Sequence, residues 1–131
     1  MERDMTIAFW CVLVAAFLPY AFTGFAKFQG DFGPKQNHAP RDFLDNLQGA
    51  RKRAHWAQLN SFEVNPAFFA AVIVAHLAAG AEQATIDYLA IGFVVSRVLF
   101  GIAYIADQGL IRTLIWATGM GCIAALFLTA A

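Results

Sequence analysis

The sequence predicts an all-α membrane protein, a single domain over residues 1–131 built as a bundle of four transmembrane helices. Three observations carry this expectation. Of the 131 residues, 60% are hydrophobic and 14% charged, with a mean hydropathy of +0.57, whereas a soluble domain carries about 25% charged residues. Four stretches are long and charge-poor enough to cross a hydrocarbon layer of about 30 Å. On two of them the polar residues recur at intervals of three and four, the period of one helix face. Lys and Arg number 9 and Asp and Glu 9, with a pI near 6.8. No net field therefore gathers nucleic acid by counterion release, and that class of partner is excluded.

The first span rests on 22 uncharged residues, 5–26, roughly 33 Å of helix at 1.5 Å per residue, with helix expected at about 5–28. It is too long for the apolar region of a signal peptide and lacks a basic start, so it reads as a retained anchor. A polar loop follows over 29–46, punctuated by Gly30, Gly33, Pro34 and Pro40. The second helix, about 46–80, opens on good helix formers without proline and ends in 18 uncharged residues, 64–81, so its first turns project from the membrane. The third, about 84–107, contains 19 residues, 88–106, interrupted only by Arg97. The fourth, about 110–130, rests on a final run of 19 uncharged residues, 113–131. Short turns near 80–83 and 107–110 connect them.

Orientation follows from the basic residues. Lys27, Lys35, Arg41, Arg51, Lys52 and Arg53 flank or fill the first loop, and Arg112 opens the fourth helix, while the N-terminus has only Arg3. The positive-inside rule makes loops 1–2 and 3–4 cytoplasmic and puts both termini on the opposite side. Cys11 and Cys122 sit in apolar runs and suit buried small hydrophobes better than a disulfide or a metal cage. His38, His55 and His76 lack ligand spacing, and no metal site is expected.

Arg53, Trp56, Asn60 and Glu63 follow at intervals of 3, 4 and 3 residues, and Arg97, Phe100, Tyr104 and Asp107 repeat that spacing. Each set spans an arc of about 80° on its helix. A charged side chain at mid-bilayer costs about 2.5–3.5 kcal/mol, so Arg97 is expected to face the bundle interior or a cleft, with Glu63 as its partner. Other readings of these groups stay open. Asn60 and Glu63 also suit hydrogen-bonding glue between helices, and Tyr104 suits an interface anchor. Arg112 fits either a topology determinant that contacts lipid headgroups or a cation for an anionic ligand or thiolate.

Residues 53–68, RAHWAQLNSFEVNPAF, resemble the second-helix signature of the MAPEG family, the membrane-associated proteins of eicosanoid and glutathione metabolism, through Asn60, Glu63, Pro66 and Phe68. Residues 97–116, RVLFGIAYIADQGLIRTLIW, are similar to the family's third-helix Arg and Tyr, seven apart, followed by an Arg-Ser/Thr pair that opens the fourth helix. Here those are Arg97, Tyr104, Arg112 and Thr113. The resemblance covers nearly the whole chain. It implies a homotrimer with active sites between neighbouring subunits, open to the cytoplasmic side and reachable from membrane lipids.

The resemblance also implies glutathione as cosubstrate, no metal, and transferase or peroxidase chemistry on lipophilic small-molecule substrates. Arg112 would stabilise the thiolate and Tyr104 assist, as the catalytic residues, while Arg53, Asn60, Glu63, Arg97 and Thr113 bind the cosubstrate. A thiol with a pKa of about 8.5 is mostly protonated at neutral pH, so a cation within a few ångströms raises its nucleophilic fraction. The chain departs from the pattern at Trp56, where glutathione-binding members commonly carry arginine. Phe100, Leu59 and Trp116 also stand where polar side chains occur. These changes keep a non-catalytic lipid-binding or scaffold role as the alternative. The pattern is closer to the bacterial branch of the family, which implies a bacterial inner membrane.

Overall fold

The computed structural model describes residues 4–78 and 80–131; Arg3 lies outside them. The elements run α1 (Ile7–Lys27), a 3₁₀ turn (Gln36–His38), α2 (Pro40–Asp45), α3 (Gly49–Leu77), α4 (Gln83–Ile105) and α5 (Gly109–Ala130), with no strand among the described residues. Helices α1, α4 and α5 are long and apolar enough to cross a membrane. Helix α3, the longest at 29 residues, is not among them, because Asn60, Glu63, Asn65 and His76 interrupt even its apolar C-terminal part.

The first loop is more ordered than the expected polar stretch over 29–46. Pro40 fits the first turn of a helix, where its missing N–H costs nothing, and starts the six-residue α2. Asn46 closes α2 by donating from Nδ2 to Asp42 O at 2.8 Å, so α3 starts three residues later than expected, at Gly49. The loop is tied back by Arg51, which donates to both carboxylate oxygens of Asp31, at 2.7 and 2.9 Å, and from Nε to Ala26 O at 2.9 Å. That guanidinium holds the Asp31 carboxyl below the ordinary carboxylate range.

Helices α3 and α4 pack against each other and against both remaining long helices, with α1 on one flank and α5 on the other. Small residues allow the close approach. A Cβ on Gly101 would overlap the Phe22 ring of α1, and one on Gly119 would stand 2.8 Å from Ser96 Oγ. Three apolar clusters result: one of Ala26, Leu44, Leu47 and Ala54 where α2 meets the bundle, and, stacked within the bundle, a larger one around Ala15, Phe68, Phe93 and Leu126 and a smaller one of Phe22, Ala57 and Phe100. Phe68 and Phe93 stack at 4.0 Å between ring centroids. Outward-facing Trp10, Phe17, Leu114 and Leu128 leave the exterior apolar, as a surface against lipid must be.

Between the two clusters within the bundle lies a buried polar layer of Ser61, Asn65, Ser96 and Arg97. Its link to α1 follows from one proline. Pro19 sits inside α1 and has no N–H, so the Ala15 carbonyl four residues earlier loses its helical donor. Asn65 of α3 replaces it, donating from Nδ2 to Ala15 O at 2.8 Å in a buried site. At the other end of the bundle Thr6 accepts from Phe9 N, and Asp87 of α4 accepts from Ala8 N at 3.0 Å. The open amides of the α1 N-terminus are thus capped from two directions.

Asn65→Ala is expected to destabilise the detergent-solubilised protein by about 1–3 kcal/mol, the cost of an unsatisfied buried carbonyl. In a Pro19→Ala background the backbone N–H returns and most of that cost should vanish. Equal losses in both backgrounds, read by thermal unfolding, would remove Pro19 from the explanation.

Candidate functional site

A cleft of about 560 Å³ opens between α3, α4 and α5, lined by Trp56, Leu59, Asn60, Glu63, Phe100, Tyr104, Arg112, Thr113 and Trp116. Such a volume suits a small-molecule site, which spans roughly 300–1,000 Å³. Helix α3 brings Asn60 and Glu63 to it on successive turns, and α4 brings Phe100 and Tyr104 in the same way.

The turn between α4 and α5 delivers the cation. Gln108 N donates to Ala103 O at 2.9 Å and Asp107 N to Tyr104 O at 3.1 Å, the paired bonds of a Schellman cap. Asp107 holds the left-handed position that this cap requires, with φ of 61°. The sharp reversal starts α5 at once and lays the Arg112 guanidinium over the Tyr104 ring, 4.5 Å from its centroid. Tyr104 is also flanked by Phe100, edge to face at 5.5 Å, and by Trp56 at 6.4 Å, so aromatic neighbours on two sides position its phenol. Thr113 donates its hydroxyl to Gly109 O at 3.0 Å, leaving its oxygen an acceptor toward the cleft.

Five of the seven residues expected at the site, Asn60, Glu63, Tyr104, Arg112 and Thr113, therefore line one cleft. Arg53 and Arg97 do not. Arg53 donates from Nε to Ile105 O at 3.1 Å, because the last carbonyls of α4 have no helical donors of their own and capture a nearby cation. Arg97 is 2% exposed, behind the cleft wall rather than in it.

The expected Glu63–Arg97 ion pair does not form. Arg97 donates from Nη2 to Asn60 Oδ1 at 2.8 Å and to Ser61 Oγ at 3.0 Å, and its guanidinium lies 4.1 Å from the Phe100 centroid. Nε and Nη1 make no hydrogen bond among the described residues. Ser61 stands about 160° around the helix from Glu63, so a guanidinium turned inward to Ser61 leaves Glu63 behind. Glu63 stays exposed and avoids the desolvation that burying a carboxylate would cost. The Arg97 bond to Asn60 has a consequence for the cleft: with Oδ1 engaged, the Asn60 Nδ2 donors are what this side chain offers a ligand. Ser61 was not picked out by the sequence reading, although a hydroxyl on the inner face of α3 opposite Arg97 was the available signal.

Fold and site together define a multi-pass helical membrane protein with a cation-bearing cleft at one end of its bundle. The chain belongs to the MAPEG family, whose model matches residues 7–131. Neither the curated proteins nor the solved structures give a match.

Since Glu63 has no buried partner, Glu63→Gln is expected to leave thermal stability within about 0.5 kcal/mol of wild type. Ser61→Ala removes an acceptor from a buried guanidinium and should cost about 1 kcal/mol or more. A larger loss for Glu63→Gln than for Ser61→Ala in the same melting assay would reinstate Glu63 as the counter-charge.

Proposed function

We propose that the protein is a glutathione-dependent membrane enzyme of the transferase or peroxidase type, acting on lipophilic electrophiles without a metal. The observation that carries this reading is the convergence of Asn60, Glu63, Tyr104, Arg112 and Thr113 from three helices on one cleft. Arg112 supplies positive charge where a thiol must ionise, which lowers the thiol's pKa and raises the thiolate fraction. Tyr104 assists with its phenol, and Asn60 and Glu63 offer donors and an acceptor to the rest of the cosubstrate. In the transferase reaction the sulfur forms a new bond to an electrophilic carbon and the leaving group departs with the bonding pair. Arg97 serves through its hold on Asn60, and Arg53 through its link from α3 to the end of α4.

The same reading makes α3 a fourth span and the protein a homotrimer. Trp56, Leu59, Glu63, Pro66, Ala70, Ile73 and Leu77 alternate at intervals of 4 and 3 residues along α3 and are all exposed. That is a heptad seam suited to self-association, and the cleft lies along its edge, where a neighbouring copy would complete the wall. The basic end of the bundle is assigned to the cytoplasm and the membrane to a bacterial inner membrane.

A second reading draws on the aromatic lining. Trp56, Phe100 and Trp116 line the cleft where polar contacts are common in glutathione-binding members, which favours a lipid-binding or scaffold role without catalysis.

Calorimetric titration of glutathione into the detergent-purified assembly decides between them. Saturable heat is expected for wild type and should be lost in Arg112→Ala and Asn60→Ala, with turnover in Arg112→Ala down by about 100-fold or more and the oligomer intact. Absence of heat from an intact wild-type assembly would sink the enzyme reading in favour of the lipid-binding one.

A further inference from the structure

We propose that Lys52 binds a carboxylate of the molecule held in the cleft, and so makes the cleft select thiols that carry one. Lys52 acts here within the glutathione reading, on which this inference rests, and supplies what distinguishes glutathione from an uncharged thiol of the same size. In the sequence it counts only among the basic residues that orient the chain, and it lies just outside the residues that line the cleft.

Its ammonium stands beside the aromatic wall. Lys52 and Trp56 are four residues apart on α3 and share a face, and Lys52 Nζ is 5.8 Å from the Trp56 ring centroid. Trp56 meets Tyr104 at 6.4 Å, and the Arg112 guanidinium lies 4.5 Å from the Tyr104 centroid. Two cations therefore stand over adjoining rings of one wall. A ligand that lies along this wall with its sulfur at Arg112 meets the second cation at Trp56. The thiolate answers only the first, so the second calls for another anion on the same molecule.

Lys52 is held in place but not neutralised. Its Nζ donates to Asp45 O and, at 3.5 Å, to Leu44 O, the last two carbonyls of α2. No carboxylate pairs with it among the described residues, since Asp31 is taken by Arg51 and Asp45 faces His55 Nε2 at 3.3 Å. An ammonium has three N–H donors, so one remains for a ligand. Lys52 is also half-buried, and a charge-assisted hydrogen bond there is screened less than on an open surface. The charges match as well: Arg112 and Glu63 cancel on the lining, and with Lys52 there are two cations and one anion. That set complements a thiolate, a carboxylate and an ammonium on one molecule.

The test titrates the detergent-purified assembly with glutathione and with glutathione diethyl ester, which keeps the thiol and the ammonium but has no charged carboxylate. Wild type should bind glutathione about tenfold or more tighter than the ester. Lys52→Gln should weaken glutathione by about tenfold and leave the ester unchanged, whereas Lys52→Arg, which keeps the charge, should retain the preference. Added salt should weaken glutathione more than the ester in wild type, a comparison that holds even if a variant fails to fold. Equal losses for both ligands in Lys52→Gln would reduce Lys52 to a support for α2 and overturn the proposal. Equal affinities of wild type for the two ligands, or a loss specific to glutathione in Arg53→Gln but not in Lys52→Gln, would do the same and leave the glutathione reading standing. Wild type that binds neither ligand would remove that reading and this inference together.

Discussion

A guanidinium inside a bundle of apolar helices cannot be placed loosely. Burying Arg97 costs several kilocalories per mole unless its donors and its charge are met by the surrounding side chains. The helices meet it in part, through Nη2 with Asn60 and Ser61 on α3 and through the Phe100 ring one turn on along α4, while Nε and Nη1 have no partner among the described residues. This arrangement fixes how α3 is rotated against α4. Once Ser61 points inward, Asn65 one turn further along reaches α1, Asn60 and Glu63 border the cleft, and the stripe through Ala70 and Ile73 faces outward. The core face and the outward stripe that borders the cleft are opposite sides of one helix, set by one buried charge.

Much of this was legible in the sequence because long charge-free runs in a membrane protein have one stable outcome, a helix. Helices α1, α4 and α5 fall within a few residues of their expected limits. The first loop was not legible, since a six-residue helix carries too few turns for a periodic signal, and its start and stop depend on Pro40 and Asn46 acting locally. At the site, helical spacing correctly grouped Asn60 with Glu63 and Phe100 with Tyr104. It did not hold for Arg53 at the cleft or for Glu63 as the partner of Arg97, which does face the bundle interior as expected. Spacing reports the face on which a Cα lies, whereas a long flexible cation goes to the strongest acceptor within reach. For Arg53 that acceptor is the carbonyl of Ile105, and for Arg97 it is the inner face of α3.

The cleft combines two kinds of surface. Aromatic rings from Trp56, Phe100, Tyr104 and Trp116 give it flat apolar walls, while Arg112, Glu63 and Asn60 supply one cation, one anion and one amide. The rings also act on the charges: Arg112 rests on Tyr104, Arg97 on Phe100, and Lys52 has its Nζ 5.8 Å from the Trp56 centroid. Cation–π contact holds a guanidinium in place without neutralising it. Arg112 therefore stays available to an anion while its position is set by the Schellman turn and the phenol beneath it.

The bond between Asn65 and Ala15 joins residues 50 apart in the sequence. During synthesis at about 5–20 residues per second, the first span, complete at Lys27, waits roughly 2–8 s before its partner residue exists. Through that interval α1 carries an open carbonyl that hydrocarbon cannot satisfy. The proline that opened it therefore makes the first helix dependent on the third: the hydrogen bonds of α1 are complete only when Asn65 is in place.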